Sequence, residues 1–188
     1  MLKKELIKNG IIVTIILLIA IISTYKIYYH FQNNRNQDFN SESLNVVFHD
    51  TAGDRLSITK VTPVTDSVGL SSNTYSLDIH NNLTVGVPYQ IRVIPDIETI
   101  ENDECGDVLI PEEDIRISVK VNRGDNEIYN LSELEDGVLL LNNVDALKTD
   151  SITIRVWVNK DSTLPVGAKM HYHGVIQVIE NENIVAIK

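Results

Sequence analysis

From residue 44 onward, apolar and polar side chains alternate in short runs that are separated by turn residues. Five runs show the clearest alternation, and they are Tyr75–His80, Tyr89–Val93, Ile115–Val121, Ile152–Val158 and Met170–Val178. Period-two alternation puts the apolar side chains of an extended chain on one face, which is typical of half-buried strands. Four weaker candidates are Asn45–His49, Arg55–Val61, Glu127–Leu131 and Val138–Leu141. The pattern therefore predicts about nine strands.

The residues between these runs favour tight turns and so narrow the fold class. Asp50–Asp54, Asn122–Asp125 and Asp136–Gly137 contain Gly, Asn or Asp, which tolerate positive φ. Gly174 interrupts an otherwise regular run, which suggests a β-bulge. No amphipathic helix of ordinary length follows residue 44. Many short strands at this spacing predict an all-β sandwich over residues 44–188, either a jelly roll or an Ig-like fold.

The N-terminal residues show a different pattern. Residues 1–9 are basic, and an uncharged apolar run follows from Gly10 to Thr24. From Ile11 to Tyr29 the chain has 19 residues, which as a helix span about 28 Å, close to the hydrocarbon thickness of a bilayer. Residues 10–29 are therefore predicted to be a transmembrane signal-anchor helix. The competing interpretation is a cleaved signal peptide, although a small-x-small cleavage site is missing.

The segment that follows separates the predicted anchor from the predicted domain. Residues 30–43 are polar and rich in Asn and Gln, with too little apolar area to offset the entropy cost of ordering. They are predicted to form a linker. Because basic flanks stay on the cytoplasmic side, residues 1–9 are placed in the cytoplasm and residues 44–188 outside the cell. The predicted localisation is the cell membrane, with a single membrane pass.

Charge is distributed unevenly along the chain. The net charge is −10, but residues 1–40 carry five bases against two acids, which leaves −13 for residues 41–188. Such a domain lacks the clustered Lys and Arg that contact phosphates, which excludes nucleic-acid binding by a basic surface as the main function of the chain. A single cysteine, Cys105, excludes an intrachain disulfide framework and a Cys-based zinc site. The predicted partners are the membrane and other surface proteins, or further copies of this chain.

The acidic segment Asp96–Asp114 is the most unusual part of the predicted domain. It holds nine acids and no Lys or Arg, and oxygen-rich loops can bind Ca²⁺. The candidate ligands, at a spacing that approaches an EF-type loop, are Glu101, Asp103, Asp107 and Glu112. Cys105 stands at the fifth position of that loop, where an oxygen ligand is needed. Apart from this possible Ca²⁺, the sequence predicts no cofactor. The simpler interpretation of the segment is a solvated acidic loop.

His171 and His173 alternate on a predicted strand, so both imidazoles lie on one face at a spacing that can chelate zinc. A zinc site needs a third protein ligand, and the sequence does not bring His49 or His80 near this pair. Motifs of serine hydrolases, zinc proteases and phosphate-binding loops are missing. Two exposed histidines on a polar strand face are the simpler interpretation. A metal-dependent hydrolase is the alternative.

Two parts of the domain resemble known surface proteins. Ser76–Asn82 followed by Tyr89–Val93 resembles the strand, Asn-rich turn and Tyr-x-[Ile/Val] strand of the TasA/camelysin group of bacterial surface and biofilm-matrix proteins. Ser151–Val158 with His173–Val178 resembles the paired closing strands of membrane-anchored proteins from low-GC Gram-positive bacteria. The resemblance implies a jelly-roll fold and a role in matrix or surface assembly. Members of the group resemble secreted, signal-cleaved proteins, whereas this N terminus has the features of an uncleaved anchor.

These observations favour a non-enzymatic structural or interaction role at the cell surface. An adhesin, a matrix subunit or an envelope-assembly component each needs only an anchored sandwich with edge strands or loops that partners can reach. Addition of strands between subunits is the natural mechanism for an all-β domain.

Overall fold

The structure, a computed structural model, describes residues 42–59, 62–97, 108–162, 164 and 170–181. These residues belong to the unit that spans residues 38–188. The predicted cytoplasmic segment and anchor, and nearly all of the linker, lie outside the described residues. Within the described part of the chain, no helix is long and apolar enough to cross a membrane.

Ten strands account for most of the residues that the structure describes. The first five are β1 (Leu44–Phe48), β2 (Arg55–Thr59), β3 (Tyr75–Asn81), β4 (Val87–Pro95) and β5 (Val108–Leu109). The other five are β6 (Ile115–Val121), β7 (Glu127–Asn130), β8 (Val138–Val144), β9 (Thr149–Val158) and β10 (Met170–Glu180). The helical segments are short, and they are α1 (Asp66–Gly69) and the 3-10 turns Glu112–Asp114, Leu131–Glu133 and Glu135–Gly137.

The nine predicted strands are confirmed, with ends that differ by a few residues. Alternation predicted both ends of β6 correctly, whereas β8 and β10 extend further than predicted. The strand that the pattern missed is β5, whose two residues pair in parallel with β10. Two residues are too few to show the alternation of a strand, so β5 can be identified only from its pairing with β10.

The strands form two sheets whose pairs are antiparallel except for β5 with β10. The first sheet has the order β1-β3-β9-β6-β7, and the second has the order β2-β10-β4-β8 with β5 beside β10. Eight strands pair in a nested order, namely β2 with β10, β3 with β9, β4 with β8, and β6 with β7. Successive pairs belong to alternate sheets. Strands that are distant in sequence are thereby placed side by side.

The apolar faces of the two sheets form one hydrophobic core. Its almost fully buried side chains come from both sheets and include Ile79, Ile117, Ile154, Tyr89, Ile91 and Ile176. Burial of one such aliphatic side chain contributes about 1.5–3 kcal/mol. The described residues therefore form a β-sandwich, as the alternation predicts.

The two ends of the sandwich carry different connections. The chain enters β1 beside the end of β3, since Leu44 pairs with Asn81. Strand β10 ends beside the start of β4, since Glu180 pairs with Tyr89. This end, termed the entry end, also carries the loops 82–86, 122–126 and 145–148. The opposite end, termed the far end, carries the end of β4, the start of β6, the end of β9 and the start of β10.

A buried polar cluster joins the two sheets at the entry end. Asp150 on β9 accepts hydrogen bonds from Oη of Tyr89 at 2.8 Å and from Nδ2 of Asn142 at 3.0 Å, both in the second sheet. Its other carboxylate oxygen accepts one from Nδ2 of Asn122 at 2.9 Å. Burial, reinforced by Asp150, raises the pKa of Tyr89, so the phenol stays a proton donor. The cluster satisfies a carboxylate that is 9% exposed.

Helix α1 covers Trp157 on the outer face of the first sheet. The alternation of β9 points this side chain away from the core, yet it is only 4% exposed. Its indole Nε1 donates to Oδ1 of Asp66 at 3.2 Å. A Cβ added at Gly69 would overlap Cδ2 of the indole. Gly69 therefore allows the helix to approach the ring.

The predicted bulge at Gly174 is wrong, because β10 keeps a continuous register with β2 and β4 through this residue. A Cβ at Gly174 would lie 3.1 Å from Cε1 of Tyr172 and 3.2 Å from the carbonyl oxygen of Ile94. Close packing, and not a bulge, accounts for the glycine. The register shift of this sheet lies between Ile91 and Arg92, where β4 pairs with β8.

Gly69→Ala should lower the free energy of unfolding by roughly 1–3 kcal/mol, because the added methyl group overlaps the indole of Trp157. Chemical denaturation, followed by the fluorescence of this single Trp, measures the change. The control is Val68→Ala in the same helix, where the side chain is 55% exposed and a change below ~0.5 kcal/mol is expected. Equal stability of the two variants would contradict this packing.

Candidate functional site

Strands β1, β7, β2 and β8 lie at the edges of the two sheets, among the strands that the structure describes. An edge strand leaves one row of backbone N–H and C=O groups available to another strand. Strands β2 and β7 have five and four residues and contain Arg55 and Glu127. Charge and shortness both disfavour the addition of a further strand. Strand β1 is uncharged but also has only five residues.

Strand β8 is the longest of these edges, with seven residues and no charged side chain. Its register shift against β4 lies at the Val138 end, and Leu140–Val144 keeps a regular register. Leu141 and Asn143 are exposed, and Leu141 retains 57% of its accessible surface. A long, regular and uncharged edge with an exposed leucine is a template for strand addition. This edge is the first candidate functional surface.

His171 and His173 lie side by side on the outer face of the second sheet. Their ring centroids are 5.4 Å apart and their planes are tilted by 44°. The two residues are 3% and 8% exposed, so the expectation of two exposed histidines is wrong. Neither ring nitrogen of His171 has a hydrogen-bond partner among the described residues. The strand thus places two adjacent imidazoles in a buried setting, and each could supply one nitrogen ligand to a metal ion.

No third metal ligand joins this pair within the described residues, where no group of three His, Cys, Asp or Glu side chains could hold an ion. The other two histidines of the domain are engaged in the first sheet. Nε2 of His49 lies 2.9 Å from the carboxylate of Asp78, and Nδ1 of His80 lies 2.9 Å from Oγ1 of Thr149. The histidine pair on β10 therefore supplies two ligands of a site that needs three or more.

Glu112 is the one calcium candidate that falls within the described residues. The other candidates of the acidic segment, and the cysteine among them, lie outside these residues, and they are Glu101, Asp103, Asp107 and Cys105. Glu112 begins the 3-10 turn directly before β6, at the far end. Its charge adds to burial, the larger cause, in raising the pKa of Tyr172. The calcium site stays a prediction.

A polar cleft of about 430 Å³ lies beside α1 on the first sheet. Arg116 spans it, and donates from Nη2 to Oδ2 of Asp66 at 3.2 Å and from Nη1 to Oδ1 of Asn130 at 2.7 Å. The Arg116 guanidinium holds the pKa of the Asp66 carboxyl below its usual range. Asp66 thus accepts hydrogen bonds from both Arg116 and Trp157. We interpret these hydrogen bonds, which lie at the cleft, as the contacts that fix α1 in place.

Two loops at the entry end present aliphatic side chains to solvent. Leu83 is 39% exposed, Val85 is 61% exposed, and Leu147 is 59% exposed. The backbone N–H of Leu147 donates to the carbonyl oxygen of Leu83 at 3.0 Å, which joins the two loops. The surface formed by residues 82–86 and 145–148 is termed the entry-end tip. It is the second candidate functional surface.

The entry-end tip is held by a fully buried amide. Nδ2 of Asn81 lies within hydrogen-bond distance of the carbonyl oxygens of Val85 at 2.7 Å and Asp145 at 3.0 Å, one in each loop. Oδ1 of Asn81 accepts from the backbone N–H of Leu83 at 2.8 Å. A buried amide with bonds at both ends has a fixed orientation. The aliphatic side chains therefore project from a rigid base.

Leu147 has an unusual backbone conformation, with φ at +56°. The other described residues with positive φ are Gly, Asn or Asp, as the predicted turns require. A leucine in the left-handed region costs about 1–2 kcal/mol, because its Cβ approaches the following carbonyl oxygen. Its side chain is mainly exposed, so packing in the core does not offset that cost.

Sequence reasoning did not single out either of these surfaces. The uncharged run of β8 is visible in the sequence, but its place at an edge depends on the pairing of distant strands. The tip has a weak signal, namely Leu83 and Val85 within a short connection that turn residues usually occupy. Apolar residues in a predicted turn are the pattern that could have identified it.

In comparisons with known proteins, no protein-family model, no curated protein and no solved structure matches this chain. The resemblance to the TasA/camelysin group stays a prediction. The function is therefore inferred from the residues and geometry of the chain itself.

Leu147→Asn should raise the free energy of unfolding by about 1 kcal/mol, because asparagine tolerates the left-handed region that leucine occupies here. Urea denaturation measures the difference. Leu141→Asn is the matched control, because this leucine is equally exposed but lies in a strand, and no gain is expected there. A loss of stability in Leu147→Asn would show that the leucine side chain does stabilise the fold.

Proposed function

We propose that this chain is a membrane-anchored extracytoplasmic β-sandwich of the jelly-roll type, with a non-enzymatic structural or interaction role at the cell surface. An adhesin, a matrix subunit and an envelope-assembly component all fall within this role. The observation that carries the proposal is the uncharged, regular edge of β8, with Leu141 exposed beside it. Other surface proteins or further copies of the chain are the proposed partners.

The order of strand pairing supports a jelly roll over an Ig-like fold. A jelly roll contains eight strands in two sheets, arranged as two Greek keys. The four nested pairs described above use eight strands and alternate between the two sheets. An Ig-like sandwich of seven strands places its strands in a different order. The jelly roll is also what the resemblance to the TasA/camelysin group implies.

The membrane location is supported by the N-terminal pattern of basic residues 1–9 and apolar residues 10–29. An anchor of this kind holds the domain at the surface while the polar linker, residues 30–43, separates the two. Anchoring also raises the local concentration of each copy near its neighbours, which favours weak strand pairing.

Strand addition at β8 would use the backbone groups that face away from β4. A partner strand aligned with Leu140–Val144 gains a row of backbone hydrogen bonds, and its alternate side chains contact the exposed Leu141 and Asn143. The half-buried Asn142 lies between these two residues, and its side-chain amide donates hydrogen bonds to Asp150 and Tyr89. The edge is therefore held in an extended conformation before a partner arrives.

A photo-crosslinking amino acid at Asn143, in the full chain within its native membrane, should give adducts with a surface protein or a second copy. Leu141→Lys should reduce the adduct about tenfold, because a lysine on an edge strand disfavours strand pairing. The control positions the same photo-crosslinker at Val68, which is 55% exposed and lies away from β8. Equal adducts from both positions, or no effect of Leu141→Lys, would contradict strand addition.

A metal-dependent hydrolase that uses His171 and His173 is the alternative function. One observation favours it, namely two adjacent buried imidazoles, with no hydrogen-bond partner for the His171 ring among the described residues. This alternative predicts stoichiometric zinc in the purified chain, measured by elemental analysis, and its loss in His171→Ala. Bound zinc that is lost in His171→Asn or His173→Asn would support this alternative. A metal-free preparation that retains hydrolytic activity would contradict it.

A further inference from the structure

The entry-end tip combines exposed aliphatic side chains with balanced charge. The entry-end tip carries exposed Leu83, Val85 and Leu147, and its two loops hold only one acid and one base. The tip therefore exposes three large aliphatic side chains and has no net charge. Exposure of such side chains to water is unfavourable.

The aliphatic side chains of the tip are not part of the hydrophobic core. Each is more than one-third exposed, and Leu147 occupies a backbone conformation that disfavours leucine. Asn81 and the hydrogen bond between Leu147 and Leu83 fix the two loops, so the side chains cannot withdraw without breaking these contacts. A strained and exposed apolar residue on a rigid base points to contact with another apolar phase.

The chain enters the sandwich beside this tip. The backbone N–H of Asn82 donates to the carbonyl oxygen of Ser43 at 2.8 Å, and Leu44 pairs with Asn81. Residues 30–43 connect this point to the apolar segment and span at most about 50 Å when fully extended. A bilayer that holds the apolar segment is therefore within reach of the entry end.

We propose that the entry-end tip contacts the lipid bilayer, with Leu83, Val85 and Leu147 inserted at the outer interface of the membrane that anchors the chain. This inference rests on the proposed membrane anchor. A second copy of the chain fits the tip less well, because a specific protein interface buries about 800 Å² on each partner, far more than three side chains provide. The bound domain stands on its entry end, and β8 remains open to partners along the side.

The proposed contact is apolar and not electrostatic. The tip loops carry Asp145 and Lys148, whose charges cancel, so anionic lipids have little to attract. Three aliphatic side chains alone bind a bilayer weakly, and the tether supplies the local concentration that makes the contact persistent. The contact should therefore depend on the tether and on the aliphatic side chains, and little on lipid charge.

The test uses the full chain with Cys105→Ser, reconstituted at one copy per phosphatidylcholine nanodisc. A single cysteine at Thr84 between the aliphatic residues carries an environment-sensitive fluorophore, and the control carries it at Ser132, exposed at the far end. Lipids with a quencher on the acyl chain should reduce Thr84 fluorescence about twofold and leave the Ser132 probe unchanged. Nanodiscs that contain phosphatidylglycerol should give the same result.

Leu83→Ser, Val85→Ser and Leu147→Asn combined should abolish the quenching at Thr84. Unchanged fluorescence of Trp157 shows that the sandwich is intact, so loss of quenching in this variant reports loss of the lipid contact.

A Thr84 probe that lipid quenchers do not reach, in a chain that stays in the bilayer, would overturn the inference and leave the proposed anchor unaffected. A blue-shifted but unquenched probe would identify protein, such as residues 182–188, as the occupant and would also overturn it. A chain that an alkaline wash removes from vesicles would overturn the anchor itself.

Discussion

The burial of one face of each sheet against the other is the constraint on which the rest of this structure depends. The inward positions of the long strands are almost entirely aliphatic, and their side chains have almost no contact with solvent. This burial fixes the register, because a shift by one residue would turn every apolar side chain outward. The outward faces, the edges and the loops remain for function, and the candidate surfaces among the described residues lie there.

Two buried polar groups determine how the entry end is organised. Asp150 binds donors from both sheets, and one of these donors is Asn142 of the β8 edge. Asn81 binds both loops of the entry-end tip. Because a buried polar group without a partner is costly, these contacts hold the edge and the tip in one arrangement. The two proposed contact surfaces are thus each held by a buried polar side chain at the entry end.

Alternation in the sequence predicted the strands and their inward faces, because the period of a strand is a local property. It did not predict which strands are neighbours, since β2 meets β10 only through contacts between distant parts of the chain. For the same reason the edge position of β8 was not predicted. Alternation also failed where an outward side chain is covered, as at Trp157 under α1 and at His171 and His173 on β10.

The candidate chemistry was predictable to a smaller extent. The pairing of His171 with His173 follows from the two-residue spacing, and the structure places the rings 5.4 Å apart. Their burial depends on neighbouring elements and has no local signal. The entry-end tip forms because two loops, separated by about sixty residues of sequence, are joined by the Asn81 amide and by the hydrogen bond between Leu147 and Leu83.

We propose that the N-terminal segment holds the sandwich outside the cell, and cysteine accessibility in intact cells tests this proposal most directly. In a Cys105→Ser background, a membrane-impermeant thiol reagent is applied to chains with a cysteine at Ser132 or at Glu5. The account predicts that the cysteine at Ser132 reacts in intact cells and that the cysteine at Glu5 reacts only after permeabilisation. Reaction of the Ser132 cysteine only after permeabilisation would contradict it.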